Sequence, residues 1–177
     1  MNKKIIIILL VLLLSVGVVF AFKAKKKIGD AQKLEPSVKN FNLNLHSFTD
    51  VLSSMWNGFD VNIDIAIKNH TKSDFTVTAL QADIYTLDNT LLAKQQNIIT
   101  ENIDIAPKSE TIIKMKYHLP ASGLLKLAKQ IDIDTFDKLK DLLFNYLTTE
   151  TIGTQLKLKG SITAEGFSVD LNEKIDI

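Results

Sequence analysis

The chain has no cysteine and no arginine, and only three prolines and seven glycines among its 177 residues. Without cysteine there is no disulfide framework, no thiol nucleophile and no thiolate metal site. Arginine is the residue best suited to bidentate phosphate and guanine contacts, and its absence argues against a nucleic-acid partner. All 21 basic residues are therefore lysine, and six of them (Lys3, Lys4, Lys23, Lys25, Lys26, Lys27) flank one long apolar run. From Ile28 onward 15 lysines stand against 20 acids, and that net charge of −5 repels polyanions. No glycine-rich loop is present to cradle a phosphate, and no serine sits in a Gly-x-Ser-x-Gly elbow. The residue choice, rich in isoleucine, lysine and asparagine, points to a microbial source.

The apolar run covers residues 5–22 and is interrupted only by Ser15 and Gly17. As a helix it would span about 27 Å, close to the hydrocarbon thickness of a bilayer. Lysines at both ends suit a helix whose ends reach the headgroups. The competing reading is a cleaved signal peptide that leaves a secreted domain, and the lysine cluster directly after Ala21 weighs against it. We therefore expect a single-pass membrane anchor over residues 1–27, with the bilayer as a partner through residues 5–22. Lysines on both sides give opposing signals to the positive-inside rule, so the side of the membrane stays open. Residues 28–37, with Gly29 and Pro36, read as a linker, and residues 38–177 as one domain.

The domain is organised around residues 59–68. Phe59, Val61, Ile63, Ile65 and Ile67 fall on one parity, while Asp60, Asn62, Asp64 and Lys68 fall on the other. That is a strand with one buried face, and five large apolar side chains need a second layer to cover them. A first strand is expected through Phe41, Leu43 and Leu45. Residues 50–58 then break the alternation as a loop or single helical turn holding Met55 and Trp56. These two read either as an exposed anchor for a partner or headgroup, or as a plug closing one end of the sandwich; the plug is the reading we adopt.

After turn residues 70–74, Phe75 and Val77 start a strand on odd positions and Leu80, Ala82 and Ile84 continue it on even ones. Such a parity change predicts a β-bulge near Thr78–Ala79. Asp88-Asn89 suits a hairpin turn, residues 98–105 a weaker strand closed by Pro107, and residues 111–119 another clean alternation. The period then changes to that of a helix. A short stretch follows Pro120, and residues 135–148 form an amphipathic helix with Asp134 as its N-cap and Asp137 as the partner acid. A final hairpin turns at Glu165-Gly166. The residues alone thus predict a mainly β protein: an antiparallel β-sandwich with an amphipathic helix before its last hairpin.

Candidate chemistry is sparse. His46, His70 and His118 fall on outward faces or in a turn, with no ligand spacing, and read as solvated surface. Asp132, Asp134 and Asp137 fail the EF-hand pattern because Phe136 and Lys138 stand where acceptors belong. Lys157 and Lys159 are expected to pair across the strand with Asp170 and Asn172. No acid–base–nucleophile set emerges, so no catalytic residue, cofactor or metal is assigned and the chain is read as a non-enzyme.

The residues Val61-Asn62-Ile63-Asp64-Ile65-Ala66-Ile67-Lys68-Asn69, then Phe75-Thr76-Val77 through Leu80 to Ile84-Tyr85, and Leu156-Lys157-Leu158-Lys159-Gly160 carry a resemblance. In order and pattern the chain resembles the late-embryogenesis-abundant type 2 family, also called the WHy domain, over about four-fifths of its length. Where the family has Asn-Pro-Asn, this chain has Asn69-His70-Thr71. The resemblance implies an immunoglobulin-like sandwich, a stress or desiccation role, an unidentified protein or small-molecule partner and no catalytic residues. A structural subunit of a cell-envelope or phage-related assembly is the alternative. Asn69 has its own physical role as a turn residue, since an asparagine leaving a strand can bond the turn backbone.

Overall fold

The computed structural model describes Lys26 and residues 29–31, 33–97, 99 and 101–177. The expected membrane segment at residues 5–22 lies outside the described residues. Among those described, no helix is long and apolar enough to cross a membrane.

Among the described residues eight strands form two antiparallel sheets. β1 (Leu34–Leu43), β2 (Phe59–Asn69) and β6 (Glu110–Leu119) make the first, in the order β1-β2-β6. The second runs β4-β3-β7-β8, from β4 (Leu91–Ala93), β3 (Phe75–Tyr85), β7 (Gln155–Ala164) and β8 (Phe167–Asp176). β5 (Ile103–Ile105) pairs with the other end of β3. The longer helices among the described residues are α1 (Phe48–Asn57), α2 (Ala121–Gln130) and α3 (Phe136–Thr149), and Gly29–Ala31 are helical as well.

As its alternation predicts, β2 buries Phe59, Val61, Ile63, Ile65 and Ile67 at the centre of its sheet. Ile63 lies opposite Met115 and Ile65 opposite Ile113, both on the inward face of β6. Leu80, Ile84 and Leu158 of the other sheet belong to the same buried cluster. The register of β3 against β7 shifts between Val77 and Ala79, so the predicted bulge is present and keeps both apolar sets inward. Asn89 and the pair Glu165-Gly166 take positive φ in their turns.

Several boundaries differ from expectation. β1 begins at Leu34, inside the expected linker, because Leu34 to Val38 pair in register with β2. As an edge strand β1 accommodates Pro36, whose missing N–H can face away from the ladder. The weaker strand near residues 98–105 is reduced to β5 and an isolated bridge at Ile99. In place of a full strand, two amide side chains fill the gap between β3 and β6. Gln95 Oε1 accepts from Ala82 N at 2.8 Å and its Nε2 donates to Asn97 O at 2.6 Å. Asn97 Oδ1 accepts from Lys116 N at 2.6 Å and its Nδ2 donates to Lys114 O at 3.1 Å. The N-cap of α3 is Thr135, whose hydroxyl accepts from Lys138 N at 3.4 Å, while Asp134 instead accepts from Lys138 Nζ at 2.7 Å. The last hairpin pairs Ala164 with Phe167 and Ile162 with Val169, and Phe167 overhangs its tip, 36% exposed.

Two buried tyrosines link the layers. Tyr117 on β6 donates its hydroxyl to Ala82 O on β3 at 3.1 Å, joining the two sheets. Tyr146 on α3 accepts from Leu43 N at 2.9 Å at the end of β1. Burial pushes both hydroxyls above the ordinary tyrosine range; the Asp83 charge adds to this at Tyr117, and at Tyr146 the Leu43 N–H opposes it. A raised native pKa means the folded state holds the proton more tightly. Stability is therefore full below the unfolded value of about 10 and falls as pH rises above it. An alkaline titration should show part of the tyrosinate absorbance rising only as far-UV circular dichroism is lost. Complete ionisation in a chain with native dichroism would contradict it.

Candidate interaction surface

β2 is about 36 Å long at 3.3 Å per residue, and its two ends differ in character. At one end Leu34, Asn69 and Glu110 come together; at the other Leu43, Val61, Phe59 and Leu119 do. Helices α1, α2 and α3 leave from the second end.

The first end is built on Asn69, which is 2% exposed. Its Nδ2 donates to Ser73 O at 2.7 Å and to Ala106 O at 3.0 Å. Its Oδ1 accepts from Thr71 N at 2.9 Å and from Thr71 Oγ1 at 2.8 Å. The amide thus uses both donors and both acceptor sites to hold the β2–β3 turn against the β5–β6 connection. Ser73 Oγ in turn donates to Asp30 Oδ2 at 3.1 Å, tying the residues before β1 to the same knot. This is the structural turn expected of Asn69.

At the second end residues 50–57 belong to a ten-residue helix, α1, that Gly58 caps, not to a loop or single turn. Ser47 Oγ accepts from Asp50 N at 3.2 Å and Asp50 Oδ2 accepts from His46 N at 3.0 Å, a reciprocal cap. The His46 N–H, with the Ser47 hydroxyl, holds the Asp50 carboxyl below the usual carboxylate range. Gly58 ends the helix at φ 80°, where an added Cβ would lie 2.1 Å from Leu119 O. The Ser47-x-x-Asp50 spacing and Gly58 were the available signals for this helix.

Neighbouring residues on a helix point about 100° apart, and Met55 and Trp56 separate accordingly. Met55 is 8% exposed and plugs the core, as expected. Trp56 does not plug; it is 75% exposed. Phe48, Leu52 and Trp56 form an outward row at four-residue spacing. Phe48 stacks on Phe144 at 4.7 Å between ring centroids, and Trp56 lies 6.1 Å from Phe136. The start of α1 therefore meets the end of α3, and the two run antiparallel. Beside Phe136 a shallow groove of about 580 Å³ opens between α2 and α3, floored by Leu125, Ala128, Ile133 and Leu139 with Asp132 and Asp134 on its rim.

The titratable residues meet in pairs. His46 bonds Asn44, and His70 bonds Glu35 at 2.8 Å. His118 Nδ1 lies 2.9 Å from Asp60 Oδ1, an acid–histidine pair that β2–β6 register creates and sequence spacing does not show. Its Nε2 is bonded to Asn57 O at 3.1 Å, and the nearby Ser54 Oγ donates to Val51 O. No hydroxyl is bonded to that ring among the described residues. Nor does any group of three acids or histidines there have metal-binding geometry. Lys157 and Lys159 do not pair across the strand with acids. Lys159 stands opposite Asn172, as expected, while Lys157 stands opposite Lys174, and the ammonium groups of Lys157 and Lys159 turn to Asn89 Oδ1, at 3.1 and 2.6 Å.

No family model and no curated protein matches the chain. Two solved structures are similar to it over most of its length. One, a crystal structure of a protein from Archaeoglobus fulgidus, is 13% identical with a TM-score of 0.44, and covers 82% of this chain and 94% of its own. The other, an X-ray structure of a Northeast Structural Genomics Consortium target, is 11% identical with a TM-score of 0.43, covering 80% and 83%.

Proposed function

We propose that the chain is a membrane-tethered, non-catalytic binding module of the late-embryogenesis-abundant type 2 kind, with an immunoglobulin-like sandwich and a protective role under stress. The observation that carries this reading is the outward aromatic row of Phe48 and Trp56 with Phe136. It stands at the end of the sheets opposite the one where Asp30 joins the Asn69 turn. A tether entering at Asp30 holds the sheets between the bilayer and this row, which leaves the row open to molecules away from the membrane. Exposed aromatic rings at high density mark binding surfaces in soluble domains. The saturated amide of Asn69 further supports the resemblance, because it gives the kept asparagine of the family motif a necessary place.

Two measurements test the proposal. Alkaline carbonate should leave the full chain in the membrane pellet, and release into the supernatant would remove the tether. A dehydrogenase dried with the full chain in vesicles should keep more activity than one dried with empty vesicles and serum albumin. The Trp56→Ser, Phe136→Ser pair should lose that advantage. Protection no better than albumin, or unchanged in the double variant, would overturn the binding role.

A further inference from the structure

Resting on the reading of this face as the working surface, we infer that its partner is a second copy of the same chain, joined through a two-fold contact in which each Trp56 enters the other's groove. The knob and the hole lie side by side. Trp56 projects from the last turn of α1 with its ring 6.1 Å from that of Phe136, and Phe136 also borders the groove, whose lining does not include Trp56. A two-fold axis near Phe136 therefore places both indoles over both grooves at once, as an isologous contact requires.

Size and chemistry agree. A groove of about 580 Å³ has room for an indole. The carboxylates of Asp132 and Asp134 on its rim offer acceptors for the indole N–H, which needs a partner once buried. The exposed parts of Phe48, Leu52, Trp56, Leu125 and Phe136 amount to roughly 500–600 Å² of apolar surface. With a polar rim that approaches the ~800 Å² per partner of a standard interface.

Charge separates this partner from a lipid surface. Residues 121–149 carry four lysines and four aspartates, so two copies meet without net repulsion. An interfacial membrane helix needs an excess of lysine on its polar face, and this layer has none. On the tethering proposed above, the bilayer also lies at the opposite end of the sheets.

The described core runs from Ala31 to Ile177, so a chain starting at Ile28 keeps every residue of that core together with both sheets and helices α1 to α3. Sedimentation equilibrium of residues 28–177 over a concentration series should show a monomer–dimer equilibrium. Trp56 is the sole tryptophan, so its emission should move to the red on dilution as the indole returns to water. Trp56→Ser should raise the dissociation constant by roughly thirtyfold or more, as hot-spot truncations do. Because the side chain is exposed in the single chain, circular dichroism and melting of the diluted variant should stay at the parent values. Leu125→Lys, on the groove side, should weaken the dimer while leaving a tryptophan in place.

A monomer at all concentrations, a dimer indifferent to both substitutions, or a ring or filament in place of a closed pair would each overturn the inference. So would flotation of the parent domain with vesicles, lost in Trp56→Ser, from a protein that stays monomeric. The two proposals fail separately. A dimer without drying protection sinks the protective role alone, and a protective monomer sinks the two-fold contact alone.

Discussion

Asn69→Ala is expected to cost the domain about 2–4 kcal/mol, a large share of a typical domain's stability. The side chain is 2% exposed and makes four hydrogen bonds. Truncation removes all four bonds and leaves the buried Thr71 N–H without an acceptor, while Ser73 O keeps the Thr71 hydroxyl at 3.2 Å and Ala106 O keeps the Ser109 hydroxyl at 2.7 Å. A hydrogen bond is worth about 0.5–1.5 kcal/mol net and a buried N–H left without a partner costs about 1–3 kcal/mol, which sets the stated range. Asn69→Asp is a sharper probe. It keeps an acceptor for Thr71 and sets a second oxygen against two carbonyls, so it should lose nearly as much as alanine. Urea unfolding followed by circular dichroism gives the midpoints. A loss below about 1 kcal/mol in both variants would show that water can replace the amide. The same knot holds Ser73 and, through it, Asp30, so the loss should also loosen the residues before β1.

A comparable loss, about 3 kcal/mol or more, is expected for Gly160→Ala. Gly160 lies opposite Ala82 in the β3–β7 ladder. An added Cβ would stand 1.9 Å from Gln81 O and 2.4 Å from Ala82 Cα, both backbone atoms that cannot step aside. Ala82 is also where the Tyr117 hydroxyl reaches across from the other sheet. Displacing β3 there would lengthen that bond as well as the ladder. Gly29→Ala is the matched control, since nothing lies within 4 Å of its added Cβ. It should change the unfolding midpoint by no more than about 0.5 kcal/mol equivalent. Equal effects of the two substitutions would mean that β3 and β7 do not approach as closely as described.

The two positions differ in how much of them could be read from the chain. Asn69 follows a clean alternating run and precedes turn residues, so its role as a strand stop is a local matter. Three of its four bonds, to Thr71 and Ser73, are local too; the fourth is not, because Ala106 lies 37 residues away. Gly160 gives no local signal at all; its need for a bare backbone comes from a neighbouring strand far along the chain.

That division holds across the molecule. The alternation of β2 and β6, the parity change in β3 and the helical spacing of α3 are properties of consecutive residues, because each element must gather its apolar side chains on one face. Sequence by itself therefore determined the mainly β architecture, the bulge and the helix before the last hairpin. Tertiary structure alone decided the start of β1, whose first residues are ordered by pairing with β2 and carry little pattern of their own. It also decided the amide bridges of Gln95 and Asn97, the meeting of His118 with Asp60, and the turning of Lys157 and Lys159 toward Asn89. Trp56 shows the limit most clearly. Its place in the chain says only that an indole follows a methionine; which of the two meets the core and which meets solvent depends on the side from which the sheets approach α1.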